Sequence, residues 1–313
     1  MIFAACDLGG TNTRAALIDE TGRILSRVSQ STLQSSADAL IDSVIRLITA
    51  IATEDCPGLA ALDGIAVAVA GTVDSISGTV VTSPNLPFAD TPLRDRLSAA
   101  FGRPVIIEND ALAAALGEAR FGAGRGAGDV VMLAIGTGIG GGIVVDGRPY
   151  RGTAGGAGEI GHMVIDPAGP LCACGRHGCL EAMAAGPAIA ARARAAVKKT
   201  TDTAILEIAG EDIAAITAET VGRAAAAGDP LAQGILEAVA EIIGVGAANI
   251  ANLLNPAVII LGGGVMTGDK IILETARRVV RDTALAPNRD ASIVAAALGG
   301  DAGLLGAASL CLK

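Results

Sequence analysis

The chain has 313 residues, half of them hydrophobic, and a net charge of −9. That length suffices for two compact domains or one large one, and the acidic balance argues against nucleic acid as a partner, which calls for a basic patch. Aromatics are scarce, with no Trp, one Tyr and four Phe, so the expected core is built from Ala, Gly and aliphatic residues at close helix–sheet distances.

The chain opens with a predicted strand over 2–7, a Gly-rich turn and a second strand over 14–18, followed by a polar turn at 19–22. Leu40, Val44, Leu47, Ile48 and Ile51 recur at helical spacing. Further strands are predicted over 65–70 and 105–107, the second running through Glu108-Asn109-Asp110 into an Ala-rich helix. The second half repeats the opening weakly: a strand over 130–135, then Gly-rich turn and strand. A Gly-, Cys- and Pro-rich loop spans about 150–179 and helices follow. The last long helix stops before Pro256, and a strand over 258–261 enters Gly262-Gly263-Gly264. Two α/β domains are therefore expected around a shared cleft. The basic cluster Arg192, Arg194, Lys198 and Lys199 reads as a solvated helix face. No basic-plus-apolar leader precedes the first strand, and Glu237, Glu241 and three Asn interrupt the apolar stretch at 231–261. No membrane association and a cytoplasmic location are expected.

A triphosphate needs converging backbone N–H groups, hydroxyls and little side-chain bulk. Gly9, Gly10, Thr11, Asn12 and Thr13 supply this in one hairpin, with Asp7 placed to hold Mg²⁺ or its water. Gly136, Thr137 and Gly138 supply it in another, and Gly262, Gly263 and Gly264 suit close approach to adenosine. Each turn alone reads equally as a tight hairpin; three at strand ends make the stronger case. No P-loop is present, and the glycine run at 122–128 precedes a strand where a dinucleotide fingerprint would follow one.

Cys172, Cys174 and Cys179 with one His form a Cys₃His set, the composition of a structural zinc site. His162 lies ten residues upstream and His177 lies within the run, and spacing alone leaves both open as the fourth ligand. Such a closed set shapes a loop and takes no part in the chemistry. Asp110, at a strand's end, suits a base for a sugar hydroxyl, though Asp is also a good helix N-cap. Glu159 and Glu181 flank the cluster. Glu181 also fits the first turn of a helix.

These residues resemble the ROK family of sugar kinases over essentially the whole chain. Its signature G-H-x6-G-x2-C-x-C-G-x2-G-C-x-E is met at Gly161, His162, Gly169, Cys172, Cys174, Gly175, Gly178, Cys179 and Glu181. The turns at Asp7–Thr11, Gly136–Gly138 and Leu261–Gly264 resemble the family's two phosphate motifs and its adenosine motif, and Asp301–Ala307 its closing helix. The resemblance implies a two-domain actin/hexokinase-like (ribonuclease H-like) α/β ATPase fold with a zinc-stabilised loop. The expected division is 1–110 plus 299–313 as the smaller domain and 111–298 as the larger. It further implies ATP-dependent phosphorylation of a hexose 6-hydroxyl, glucose above all, with Mg²⁺ accompanying ATP. Asp110 is then the base, and Asn109, Asp110, Glu159, His162 and Glu181 contact sugar, with Gly71 and Asn85 as further contacts. His162 becomes the zinc ligand over His177, one ring nitrogen serving metal and the other sugar. A homodimer or homotetramer is implied.

Three alternatives compete. A ROK sugar-sensing repressor would carry a DNA-binding segment ahead of the first strand, which here begins at residue 2. A kinase for N-acetylmannosamine, N-acetylglucosamine, fructose, allose or hexoses broadly would share the fold; Glu159 tilts toward glucose, because kinases resembling N-acetylmannosamine kinase often depart from Glu there. An actin-like structural ATPase would need neither the Cys-rich loop nor Glu181.

Overall fold

The structure, a computed structural model, describes residues 1–56, 58–200, 202–266 and 270–312. The chain opens with three strands, β1 (Ile2–Leu8), β2 (Asn12–Asp19) and β3 (Ile24–Ser31), then helix α1 (Ala37–Glu54) and strand β4 (Gly64–Val69). A small antiparallel sheet follows, made of β5 (Thr72–Asp74), β6 (Thr79–Thr82) and β7 (Ala89–Thr91). Helix α2 (Leu93–Phe101), strand β8 (Val105–Asn109) and helix α3 (Asp110–Phe121) come next. The second half begins with β9 (Val130–Ile135), β10 (Ile139–Val145) and β11 (Arg148–Pro149), then the Cys-rich loop. Helices α4 (Leu180–Ala184), α5 (Gly186–Val197), α6 (Ala204–Ile208), α7 (Ala218–Ala226) and α8 (Pro230–Leu254) lead to β12 (Val258–Gly262), α9 (Lys270–Thr283), β13 (Ser292–Ala295) and α10 (Ala302–Leu310).

The two large sheets share one plan. The first has the order β3-β2-β1-β4-β8 and the second β11-β10-β9-β12-β13. In the first, the β1–β2–β3 meander is antiparallel and β1, β4 and β8 run parallel. In the second, β10 and β11 are antiparallel and β12 and β13 parallel. The weak repeat legible in the sequence is thus a repeat of topology.

Packing divides the chain into two compact units: 1–130 with 142–158 and 297–313, and 131–141 with 159–296. This differs from the expected division, which broke the chain at 110. Helix α3 belongs to the first unit because it packs backbone to backbone on α10: a Cβ at Gly306 would lie 1.7 Å from the Ala113 carbonyl, and one at Gly117 2.4 Å from that of Ala302. The β10–β11 end joins them, with Gly142 pressed on Ala111 and Ala115.

In the first unit, alternation along β1 and β4 splits the core into two layers. Ala4, Cys6, Leu8, Ile65, Val67 and Val69 face α1 and α2 among large aliphatics. Ala5, Ala16, Ala66 and Ala68, with Phe3 and Ile18, face Leu304 and Leu305 of α10. Alanine on that face lets the helix sit close, which accounts for a core with so few aromatics. In the second unit α8 is the central helix. Its length and apolar composition would suffice to cross a membrane, yet most of it is buried, with Ile235, Leu236, Val239 and Ile243 in the core. It ends where Asn255 adopts a left-handed cap (φ 44°), one residue before Pro256.

Candidate active site and metal centre

In the first unit, the β1–β2 turn is held by its carbonyls. Thr32 donates Oγ1 to Gly9 O at 2.6 Å and its N–H to Thr11 O at 2.9 Å, and Gln34 Nε2 donates to Gly10 O at 2.6 Å. The amides of Gly10 and Thr11 have no intramolecular partner among the described residues. Bound carbonyls and free amides are what an anion-binding turn requires. Thr32 and Gln34 carry no clear signal in the sequence because β3, which leads to them, alternates half-buried and exposed positions with Ser, Arg and Gln among them. Gln34 also donates to Asn85 O at 3.1 Å, and Asn85 packs on Gly10 at a distance that excludes a side chain there. Asn12 and Thr13 open β2; Thr13 Oγ1 lies 3.0 Å from Thr32 Oγ1.

Asp7 pairs across the hairpin with Arg14. Burial raises its affinity for a proton, and Arg14 partly offsets this. The first turn of α10 lies over it, since a Cβ at Gly303 would come within 3.2 Å of its carboxyl carbon.

Strand β8 delivers Glu108, Asn109 and Asp110 in succession. Asn109, not Asp110, is the N-cap of α3: its Oδ1 accepts from Leu112 N at 3.0 Å. Asp110 is therefore the first helical residue and free of the capping role. Its Oδ1 accepts from Ala111 N at 2.9 Å and Asn109 Nδ2 at 3.1 Å. Burial, with Asp7 as a second cause, pushes its carboxyl up to about 6. Asn109 Nδ2 also donates to Gly71 O at 3.0 Å, so Gly71 and Asn109 adjoin, and Gly71 sits too close to Thr82 O to carry a Cβ. Gly71, Asn85, Asn109 and Asp110 thus all lie in this unit, as does Asp7. Glu108, buried, accepts from Arg151 and from Asn109 N. Burial raises its proton affinity and Arg151 opposes the shift.

In the second unit, the β9–β10 turn carries Gly136, Thr137 and Gly138. Gly136 N donates to Gly138 O at 2.8 Å and Gly136 O accepts from Gly186 N at 2.8 Å, while the amides of Thr137 and Gly138 are unpaired among the described residues. Beside it, β12 ends in Gly262 and Gly263. Gly263 has φ +92° and lies so near Ile135 that a Cβ would come within 2.3 Å of its carbonyl, so only glycine fits. Gly264 follows in a short 3₁₀ turn. The second phosphate turn and the adenosine turn of the sequence reading are therefore neighbours. Glu181, in the first turn of α4, reaches the same place: its Oε2 accepts from Ile139 N at 2.9 Å and lies against Gly138, and its Oε1 lies 3.8 Å from Cys172 Sγ.

His162, Cys172, Cys174 and Cys179 bring one donor atom each within 4.8 Å of one another and could hold a metal ion. His162 Nδ1 stands 3.8 Å from Cys172 Sγ, and Cys174 and Cys179 sulfurs are 3.6 Å apart. Ligands bound tetrahedrally at about 2.3 Å sit about 3.8 Å apart, so the set fits. His177 instead directs Nδ1 to Gly169 O at 3.0 Å and lies outside the cluster. His162 Nε2, on the other side of the ring, faces Glu159 Oε2 at 3.9 Å, and Glu159 is largely exposed. The loop closes tightly: Gly178, at φ +69°, leaves no room for a Cβ beside Asp166 O.

Two α/β units of one topology, each with a Gly-Thr turn between its first two strands and one with a Cys₃His loop beside that turn, make the two-domain actin/hexokinase-like (ribonuclease H-like) fold. The sequence profile of the ROK family matches residues 3–313. The chain belongs to the ROK family. It is 38% identical over 307 residues to a glucokinase of Thermotoga maritima, covering 97% of this chain and 95% of that one. A crystal structure of a ROK family glucokinase from Streptomyces griseus in complex with glucose and AMPPNP superposes with a TM-score of 0.86 at 35% identity, covering 99% of both chains. A xylose repressor of Bacillus subtilis is 29% identical over 312 residues, which cover 98% of this chain and 76% of the repressor.

Proposed function

We propose that the chain is an ATP-dependent glucokinase, transferring the γ-phosphoryl group of ATP to the 6-hydroxyl of glucose with Asp110 as the base. The observation that carries this reading is Asp110 itself, a carboxyl with raised proton affinity fixed through Oδ1 at the head of α3. A sugar hydroxyl ionises far above neutral pH and needs such an acceptor as it attacks phosphorus. The proton passes to Asp110, the new O–P bond forms, and the bridging oxygen leaves with ADP.

Asn109, Gly71, Asn85, Glu159, His162 and Glu181 are the hexose contacts of this reading. Glu181 has already committed Oε2 to Ile139 N, so it would meet sugar through its remaining acceptor capacity. The nucleotide is held by Gly9–Thr13, Gly136–Gly138 and Gly262–Gly264, and the unpaired amides of Gly10, Thr11, Thr137 and Gly138 support the phosphate roles. Magnesium accompanying ATP supplies charge neutralisation at the phosphates, and Asp7 is the residue that would hold it or its water. The Cys₃His set is a structural zinc site in this account, ordering the loop that carries His162. The protein works in the cytoplasm as a homodimer or homotetramer.

The glucokinase relatives, together with Glu159, support glucose as acceptor. A coupled ADP-release assay with ATP·Mg²⁺ against glucose, mannose, fructose, allose, N-acetylglucosamine and N-acetylmannosamine tests this, and turnover of glucose is expected. Turnover restricted to an N-acetyl sugar would move the substrate and keep the chemistry. Sugar binding by calorimetry without turnover of any hexose would sink the kinase reading in favour of a sensor, the class to which the similar xylose repressor belongs.

A further inference from the structure

We propose that Glu108 and Arg151 are positioning residues for the hexose, a buried charged clamp that holds the backbone of Asn109 and the start of the 151–158 loop in register for sugar recognition. The inference rests on the glucokinase reading above. Glu108 is only 3% exposed and Arg151 32% exposed. Both Arg151 Nε (2.7 Å) and its terminal NH2 nitrogen (2.6 Å) meet Glu108 Oε2, while Oε1 accepts from Asn109 N at 3.0 Å. One carboxylate thus ties two segments that lie 43 residues apart in the chain.

Each arm of the clamp ends at a candidate sugar contact. On the β8 side, the peptide fixed by Glu108 carries the Asn109 side chain, which bonds Gly71 O, Asp110 Oδ1 and Leu112 N. A shift of that peptide would move all three. On the other side, the loop folds back through Ala157 N to Arg151 O at 3.1 Å, and Gly155 rests on the Val73 carbonyl, where a Cβ would come within 2.7 Å. Glu159 follows directly at the end of this loop. Glu108 is the loop's only charged partner among the described residues. A buried, unpaired carboxylate would be costly, so the pair is built to stay closed, and nothing in the proton transfer uses either residue.

Steady-state kinetics of three variants test the proposal, with thermal melting to check folding. Arg151→Gln should raise the glucose KM about tenfold while the ATP KM stays within about threefold of wild type. Arg151→Lys, which keeps the charge but not the fork, should fall between the two. The double variant Glu108→Met with Arg151→Met buries no charge and loses only the acceptor of Asn109 N, so it should stay folded with a modestly lowered melting temperature and still show the raised glucose KM. A wild-type glucose KM in the folded double variant would overturn the proposal, as would glucose and ATP KM values rising together. Failure of the glucokinase reading would show in the wild-type protein, which would not phosphorylate glucose, and would remove this inference with it.

Discussion

Asp110 sits where two demands conflict. A base for phosphoryl transfer, the role proposed for it, should be ionised at working pH, yet burial first and Asp7 second push the carboxyl up to about 6. The folded form therefore binds this proton more tightly than the unfolded chain does. The stability linked to protonation is complete below about pH 4 and is lost as pH rises through about 6. Asp110→Asn should accordingly cut kcat by about 10²–10⁴-fold and at pH 7.5 stabilise the fold by about 1–3 kcal/mol. That gain should vanish below about pH 4. Wild-type kcat/KM for glucose should fall as pH drops through about 6, since the free base is then lost. Melting temperature and single-turnover rate as functions of pH check both halves, and an Asn variant that is both active and no more stable would contradict them. The sequence made Asp110 legible as a candidate but left it competing with an N-cap role; Asn109 takes the cap, a division that one-dimensional spacing does not resolve. Glu108 stood in plain view beside them and went unread because its partner, Arg151, is 43 residues away.

Among the elements, the Cys-rich loop was the most legible, because three Cys and a fixed glycine pattern have few other uses, and the structure assembles its four donor atoms. His162 turns Nδ1 to Cys172 Sγ in that cluster and Nε2 to Glu159. Cys174→Ser, which removes an exposed member of the Cys₃His set and leaves the core intact, should lower bound metal from about one ion per chain to near none. It should also lower the melting temperature and raise the glucose KM. Metal analysis by mass spectrometry alongside calorimetry would check it; full glucose affinity without metal would separate the loop from sugar binding. By contrast β5, β6 and β7 run to three or four residues each with mixed exposure. Segments so short carry no usable alternation, and they form a sheet only because each lends hydrogen bonds to the next. The contact division falls at 130/131 and not at 110 for a related reason. Asp110 looks like a boundary because a strand ends there, but what assigns α3 to the first unit is glycine-to-carbonyl contact with α10, made across nearly 200 residues of chain.

At the scale of the molecule, the chain passes from one unit to the other and back twice, at 130/131, 141/142, 158/159 and 296/297. Neither unit is a continuous segment. Helix α10 covers the Ala-lined face of β1, β2 and β4, and Leu304 and Leu305 are its large apolar contribution there. Leu304→Ala should cost about 2–5 kcal/mol, the range for a large core residue cut to Ala. Removal of residues 302–310 should leave the first unit unfolded, because the loss approaches the whole stability of a domain, about 5–15 kcal/mol. Urea denaturation of the point variant and circular dichroism of the truncated chain would test this, and a folded truncated chain would contradict it. The order of events during synthesis follows from the same helix. Strands β1 to β4 leave the ribosome long before α10, and the face they share stays uncovered until residues 302–310 have been made. The whole of the second unit is therefore made before the first can close, and the nascent chain carries an open apolar sheet throughout that interval.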